Sequence, residues 1–278
     1  MSAHGRIRVG IGGWNYEPWR ETFYPPDVAK KNELEYASRH VTAIEINSTF
    51  YRLQKPEVFA KWRDATPGDF MFSVKAPRFV AQRRVLADAG PHIERFLSSG
   101  ITELGEKLGP LLWQLDPRHV FDEEDMRRFM HLLPPDIDGL KLRHALEVRY
   151  DSFATPAFIA LAREHGITVV LEDDATYPGF ADVTGDFIYA RLRRSQSEIL
   201  TGYPQDALQR WCERGRDWAG GSEPDDLRRV SETKAKMRPR DVFLYFINGA
   251  KERAPAAAMA LLEALDRPQD LSSDRCAT

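Results

Sequence analysis

Eight short runs of β-branched, aromatic and aliphatic residues recur along the chain: 8–14, 41–47, 70–76, 111–116, 142–149, 168–173, 187–193 and 241–248. Each is the length of a buried strand. Helix-period patterns fill most of the gaps. Leu34 and Ala37 mark 32–39, and Val58, Phe59 and Trp62 mark 56–64. Ile93, Phe96, Leu97, Ile101, Leu104 and Leu108 form a stripe of 3.6-residue period, which predicts a helix over 91–108. Asp122 reads as an N-cap with Asp125 three residues on. Thr155-Pro156 opens another helix, because proline suits a first turn. Patterns at 205–219 and 255–265 complete the set.

Eight strands alternating with helices predict an α/β fold of the TIM type, a (β/α)8 barrel. A doubly wound open sheet gives the same alternation and is the alternative. The gap at 174–186 holds Pro178, Gly179 and Gly185 without a helical period, so one βα unit is expected to be degenerate. The polar stretch 220–240 reads as a surface excursion before the last strand. Residues 1–268 are expected to form one domain and 269–278 a flexible C-terminal tail.

Composition narrows the partners. The 278 residues are 42% hydrophobic and 29% charged, with 39 Lys+Arg against 42 Asp+Glu. That much apolar material supports a large core, and a net charge of −3 leaves no global cationic field for nucleic acid. Two cysteines, Cys212 and Cys276, exclude a disulfide scaffold and suit a reducing, cytoplasmic setting. No run of about 18 apolar residues occurs, so no membrane partner is expected. The first residues carry no secretory pattern. The sequence sets no oligomeric state.

In a barrel of this kind the chemistry sits at the C-terminal ends of the strands. Residues two apart on a strand share a face. Glu45 and Asn47, Ser73 and Lys75, Glu147 and Arg149, and Tyr189, Arg191 and Arg193 are such sets. Gln114, Asp173, Tyr245 and Asn248 end other strands. Ionisable groups inside apolar strands must be paired or serve a site. A structural ion-pair network explains any single pair as well as a site does; polar residues ending nearly every strand favour a ligand site. The first βα loop carries Trp14 and Tyr16, which suit stacking on a ring, and Trp19, which suits the core equally. Glu45 and Glu147 are the candidate acid/base pair. Glu45, Glu147 and Asp173 would make an all-oxygen set for Mg²⁺ or Mn²⁺, but neighbouring Lys and Arg compete for those carboxylates, and no cofactor is expected. The seven histidines form no HxH or HExxH cluster, and no GxGxxG, Walker or GxSxG motif occurs. The run 75–84 and Arg191, Arg193 and Arg194 are basic patches on the functional rim, suited to phosphate. The run 234–240 falls on the opposite rim.

The ordered motifs resemble the YecE-like family, domain of unknown function 72. They are Gly12–Trp19 with Thr22-Phe23-Tyr24-Pro25, Glu45-Ile46-Asn47-Ser48-Thr49-Phe50-Tyr51, Phe72-Ser73-Val74-Lys75, Lys107-Leu108-Gly109-Pro110 with Gln114, Glu147-x-Arg149, Tyr189-x-Arg191-Leu192 and Tyr245-Phe246-x-Asn248. The likeness runs from about Val9 to Leu265. It implies a TIM-like barrel and no established activity; a likeness in fold to endonuclease-IV-type barrels suggests nucleic-acid binding by analogy alone. Three histidines of the family pattern are replaced. Gln82 follows Ala81 where Thr-His is usual, Tyr150 ends the Glu-Phe-Arg-His block, and Arg193-Arg194 stand for His-Gly. The added arginines tilt the site toward anions.

These features predict an enzyme or enzyme-derived barrel that binds a small anionic, ring-bearing ligand: a phosphorylated sugar, a nucleotide or a nucleic-acid end. Lys75, Arg149 and Arg191 would hold the charge. Trp14 and Tyr16 would stack, while Asn47, Gln114, Asp173, Tyr245 and Asn248 would orient polar groups. Hydrolysis is the least committal reaction. The alternatives are a non-catalytic nucleic-acid-binding barrel using 75–84, and a protein-interaction scaffold.

Overall fold

All eight expected β runs pair in one parallel sheet in the computed structural model, which describes residues 4–267. The expected tail at 269–278 lies outside the described residues. The strands are β1 (Ile7–Gly12), β2 (Ala43–Ile46), β3 (Met71–Lys75), β4 (Leu108–Gln114), β5 (His144–Glu147), β6 (Thr168–Val169), β7 (Leu171–Asp173), β8 (Phe187–Leu192) and β9 (Asp241–Phe246). Their order is β6-β5-β4-β3-β2-β1-β9-β8-β7. The two ends of this order, β6 and β7, are one extended run broken at Val170. Its first half pairs with β5 and its second half with β8. The sheet therefore curls into a nearly closed barrel with helices around it, and the open-sheet alternative falls.

The break at Val170 has a local cause. No helix follows β7. The return segment instead folds back on the strand: Val169 N–H donates to Thr184 Oγ1 at 2.8 Å, and Thr168 Oγ1 donates to the Phe187 carbonyl at 3.2 Å. Gly179 and Gly185 permit the approach, since a Cβ there would lie 2.4 Å from the Glu172 carbonyl oxygen and 2.2 Å from Thr168 Oγ1. This is the degenerate unit.

Helices wrap the outside as the periodicity predicts. Pro56–Asp64 matches its pattern, and Asp122 and Thr155 cap theirs by accepting from the N–H groups of Asp125 and Phe158. The helix expected over 91–108 is corrected. It ends at Leu97, and a 3-10 stretch Ile101–Lys107 leads into β4, which starts at Leu108. Gly100 makes the turn at φ +100°, where a Cβ would meet Pro56 at 2.7 Å. A hairpin of Asp136–Ile137 and Leu140–Lys141 was not expected. Its turn is Asp138-Gly139, both at positive φ. Residues 221–240 form neither helix nor strand and lie mostly at the surface. They are tied down by Asp182, which accepts from Val230 N and Ser231 N.

Alternation along the strands fills the barrel in layers. Ala43, Met71, Phe187 and Phe243 form the lower apolar layer. Tyr189, Tyr245 and Ser73 lie above, with Ser73 Oγ and Tyr245 Oη 2.7 Å apart. Gly10 makes room for this layer, because a Cβ there would sit 2.7 Å from the Tyr245 ring. The next layer up is ionic.

Candidate functional site

That layer is built around Arg191 of β8. Its guanidinium holds Glu45 of β2 in a two-toothed contact, Nε to Oε2 at 3.1 Å and Nη2 to Oε1 at 3.0 Å. Nη1 reaches Glu147 of β5 at 2.7 Å and Glu172 of β7 at 3.3 Å. Tyr189 Oη donates to Glu45 at 2.7 Å. Gln114 Nε2 donates to both oxygens of Glu147, at 2.9 and 2.8 Å. Arg149 Nε closes on Glu147 Oε1 at 2.5 Å, and Arg193 Nε lies 2.7 Å from Glu172 Oε2. The side chains of Glu45, Glu147 and Glu172 have no exposed surface.

The cost of burying these charges is met by pairing. Burial alone would raise the Glu147 carboxyl, but Arg191, Arg149 and Arg193 together hold it well below the usual carboxylate range. Glu172 moves the other way, pushed up to about 8 by burial and by the neighbouring Glu147 charge.

Above the ionic layer the barrel opens into a cavity of about 1000 Å³. Its wall carries Lys30, Lys31, Arg52, Lys61, Lys75, Arg149, Arg191, Arg193 and Lys251, and no Asp or Glu among the described residues. Trp14, Asn15, Asn47, Gln54, Trp62, Gln114 and Asn248 add aromatic and amide surface. Arg149, Arg191 and Arg193 thus show one face to the cavity and the other to the carboxylates below. Two wall lysines that are not exposed lack even that compensation. Lys75, last residue of β3, is buried beside Phe50 with its Nζ 4.0 Å from the ring centroid, and no carboxylate pairs with it among the described residues. Burial and the Arg191 charge lower it to about 8. Lys251 rests 4.3 Å over the Tyr16 ring and is also lowered by burial.

The expected site residues divide. Trp14, Asn47, Lys75, Gln114, Arg149, Arg191 and Asn248 meet at the cavity. Trp14 is wedged edge-on against Trp62, with centroids 5.1 Å apart. Asn248 adopts φ +60°, uncommon for a residue other than glycine, and its carbonyl accepts from Ser195 Oγ. Five others do not line the cavity. Glu45 and Glu147, expected as the acid/base pair, lie beneath it, sealed by arginines. Tyr245 lies deeper still, bonded to Ser73. Tyr16 packs edge-on against Trp19, which is core and donates its Nε1–H to the Lys251 carbonyl. Asp173 points to the other face of its strand and pairs with Arg194 at 2.9 Å. Glu45, Glu147 and Asp173 consequently do not converge as an oxygen set.

The inward acid of this strand is Glu172, which the sequence reading passed over. The break at Val170 leaves Leu171–Asp173 too short to show its own alternation, but the pairing Arg191↔Glu172 places it. Lys251, Lys61 and Arg52 were also missed, because they come from loops and helix surfaces. Of the basic run 75–84, only Lys75 and Gln82 line the cavity. In the run 234–240, Arg240 is buried and donates to the carbonyls of Gly221, Lys236 and Arg238. His144 is a core residue, taking the Trp113 Nε1–H on Nδ1, with its Nε2 2.7 Å from the Pro134 carbonyl oxygen.

A parallel α/β barrel with an ion-paired plug and a cationic mouth is the class that fold and site define. The chain belongs to the family described as protein of unknown function DUF72, whose model matches residues 8–277. It is 27% identical over 147 residues to the UPF0759 protein YecE of Escherichia coli (strain K12), covering 53% of this chain and 50% of that protein. The chain thus spans about half the length of the curated relatives it matches. A DUF72 family protein from Thermotoga maritima MSB8 superposes with a TM-score of 0.72 at 21% identity, covering 94% of this chain and 100% of that one. One from Enterococcus faecalis V583 gives 0.68 at 18%, covering 96% and 100%. At these identities the solved structures establish the fold. No helix among the described residues is long and apolar enough to cross a membrane.

Proposed function

We propose that the mouth binds a small anionic ligand that carries a ring: a phosphorylated sugar, a nucleotide or the end of a nucleic acid. One observation carries this reading. The cavity wall holds Lys75, Lys251, Arg149, Arg191 and Arg193 without a single carboxylate among the described residues. Burying unpaired lysines is costly, and a bound anion removes that cost. Trp14 and Tyr51 supply aromatic surface beside the cations. Glu45 and Glu147 act as positioning residues that fix the arginines, since Arg191 stands between them and the cavity. Recognition of nucleic acid through the loop 75–84 has less support, because most of that run does not reach the mouth.

Calorimetric titration tests the reading, with inorganic phosphate, ribose 5-phosphate and adenosine monophosphate as probes. The ring-bearing phosphates bind more tightly than phosphate alone, and binding weakens as salt rises. Lys251→Met loses one charge-assisted contact of about 1.5–3 kcal/mol, a roughly tenfold to hundredfold weakening. No heat with any of the three probes would contradict it.

A further inference from the structure

We infer that Lys75 is a nucleophile that forms an imine with the carbonyl carbon of an aldehyde- or ketone-bearing anionic ligand, of which a phosphorylated aldose in its open form is the simplest class. The inference rests on the anion-binding reading of the same cavity and adds a reaction to it.

Four features of the geometry point to Lys75. It ends β3, so a rigid strand aims it at the mouth, where barrel chemistry is placed. Its side chain is buried yet opens on the cavity. It has no carboxylate partner among the described residues, only the face of Phe50. Its charged neighbours are Arg191 and Arg149 as like charges and Glu45 and Glu147 as opposites, and both glutamates are already engaged by arginines. An amine that attacks a carbonyl must shed its proton near neutral pH. Desolvation and Arg191 bring Lys75 to about 8, so roughly a tenth is free amine at pH 7.

The step balances without an oxidant or reductant. The Nζ lone pair forms a bond to the carbonyl carbon, and the C=O π pair moves to oxygen, which takes a proton. The nitrogen sheds one proton to solvent to give the neutral carbinolamine. Its hydroxyl is then protonated from solvent in the open cavity and leaves as water, and the resulting iminium nitrogen sheds its second proton to leave C=N. Amine plus carbonyl gives imine plus water, reversible by hydrolysis.

Pyridoxal 5′-phosphate, a ring with a phosphate and an aldehyde, is the probe. The full-length protein is treated with it, reduced with borohydride and digested, and adducts are located by mass spectrometry. The expected result is an adduct mainly on Lys75, formed roughly tenfold or more faster than on Lys30 and Lys61 of the same cavity wall. Its rate should be half-maximal near pH 8, and inorganic phosphate should slow it. Lys75→Arg should lose the adduct. Labelling spread evenly over the three lysines, or concentrated on Lys251, overturns the inference. Calorimetry on the same wild-type sample separates the two claims: heat of binding without a Lys75 adduct sinks the imine alone, whereas no heat with phosphate, ribose 5-phosphate or adenosine monophosphate sinks the anion reading as well.

Discussion

Arg191 ties three carboxylates from three strands into one cluster, so its loss is felt far beyond its own contacts. Arg191→Ala leaves Glu45 and Glu147 buried without their main partner. Breaking such pairs costs about 3–5 kcal/mol, and urea denaturation should show a loss of that size. Arg191→Lys should recover only part of it, because an ammonium cannot grip Glu45 with two parallel bonds. Lys75 behaves in the opposite sense. Its folded value near 8 lies below the 10.5 of a free lysine, so the unfolded chain binds more protons between those limits. Its destabilising effect is therefore full below pH 8 and is relieved as pH rises toward 10.5. The same titration removes a charge from the mouth. Sulfate, whose own charge is constant over this range, should bind more weakly as pH rises past about 8, and this step should vanish in Lys75→Met.

At the scale of elements, the strands were legible because each buries two faces and reads as a continuous apolar run. Their inward and outward sets followed from period-two alternation, which placed Lys75, Arg149, Arg191 and Gln114 at one mouth. The same rule misled at Asp173. The run 168–173 is two segments, and the side chain facing the ligand side had to be Glu172 by its register with Arg191. Tyr16 and Tyr245 were misplaced for a different reason. Aromatic residues serve core and site alike, and only packing against Trp19 and Ser73 separates the two. Lys251 was illegible because a loop lysine has no periodicity to betray its direction. The hairpin was legible in principle: Asp138-Gly139 is the dipeptide that favours two left-handed residues. Close approaches between elements give direct tests. Gly10→Ala would place a Cβ 2.3 Å from the Ala43 carbonyl oxygen, which is backbone and cannot swing away. A loss of about 1–3 kcal/mol is expected in the urea midpoint. Asp182→Ala strands the N–H groups of Val230 and Ser231 and should cost about 1–3 kcal/mol while leaving the mouth intact.

For the whole molecule, the barrel separates its charges by depth. Carboxylates are held within the cylinder, arginines form a partition, and unpaired lysines face the opening. Such an arrangement stores an unfavourable energy at the mouth that a ligand of opposite sign relieves, which is how binding sites trade stability for function. Lys75→Met isolates this trade in one side chain. Thermal unfolding of wild type and Lys75→Met at pH 7, each with and without saturating phosphate, tests it most directly. Without phosphate the variant should be more stable, by roughly 1–3 kcal/mol. With phosphate at a hundred times its dissociation constant, wild type should gain about 2.7 kcal/mol and the variant much less. A variant that is less stable than wild type, and that gains as much from phosphate, would contradict the account.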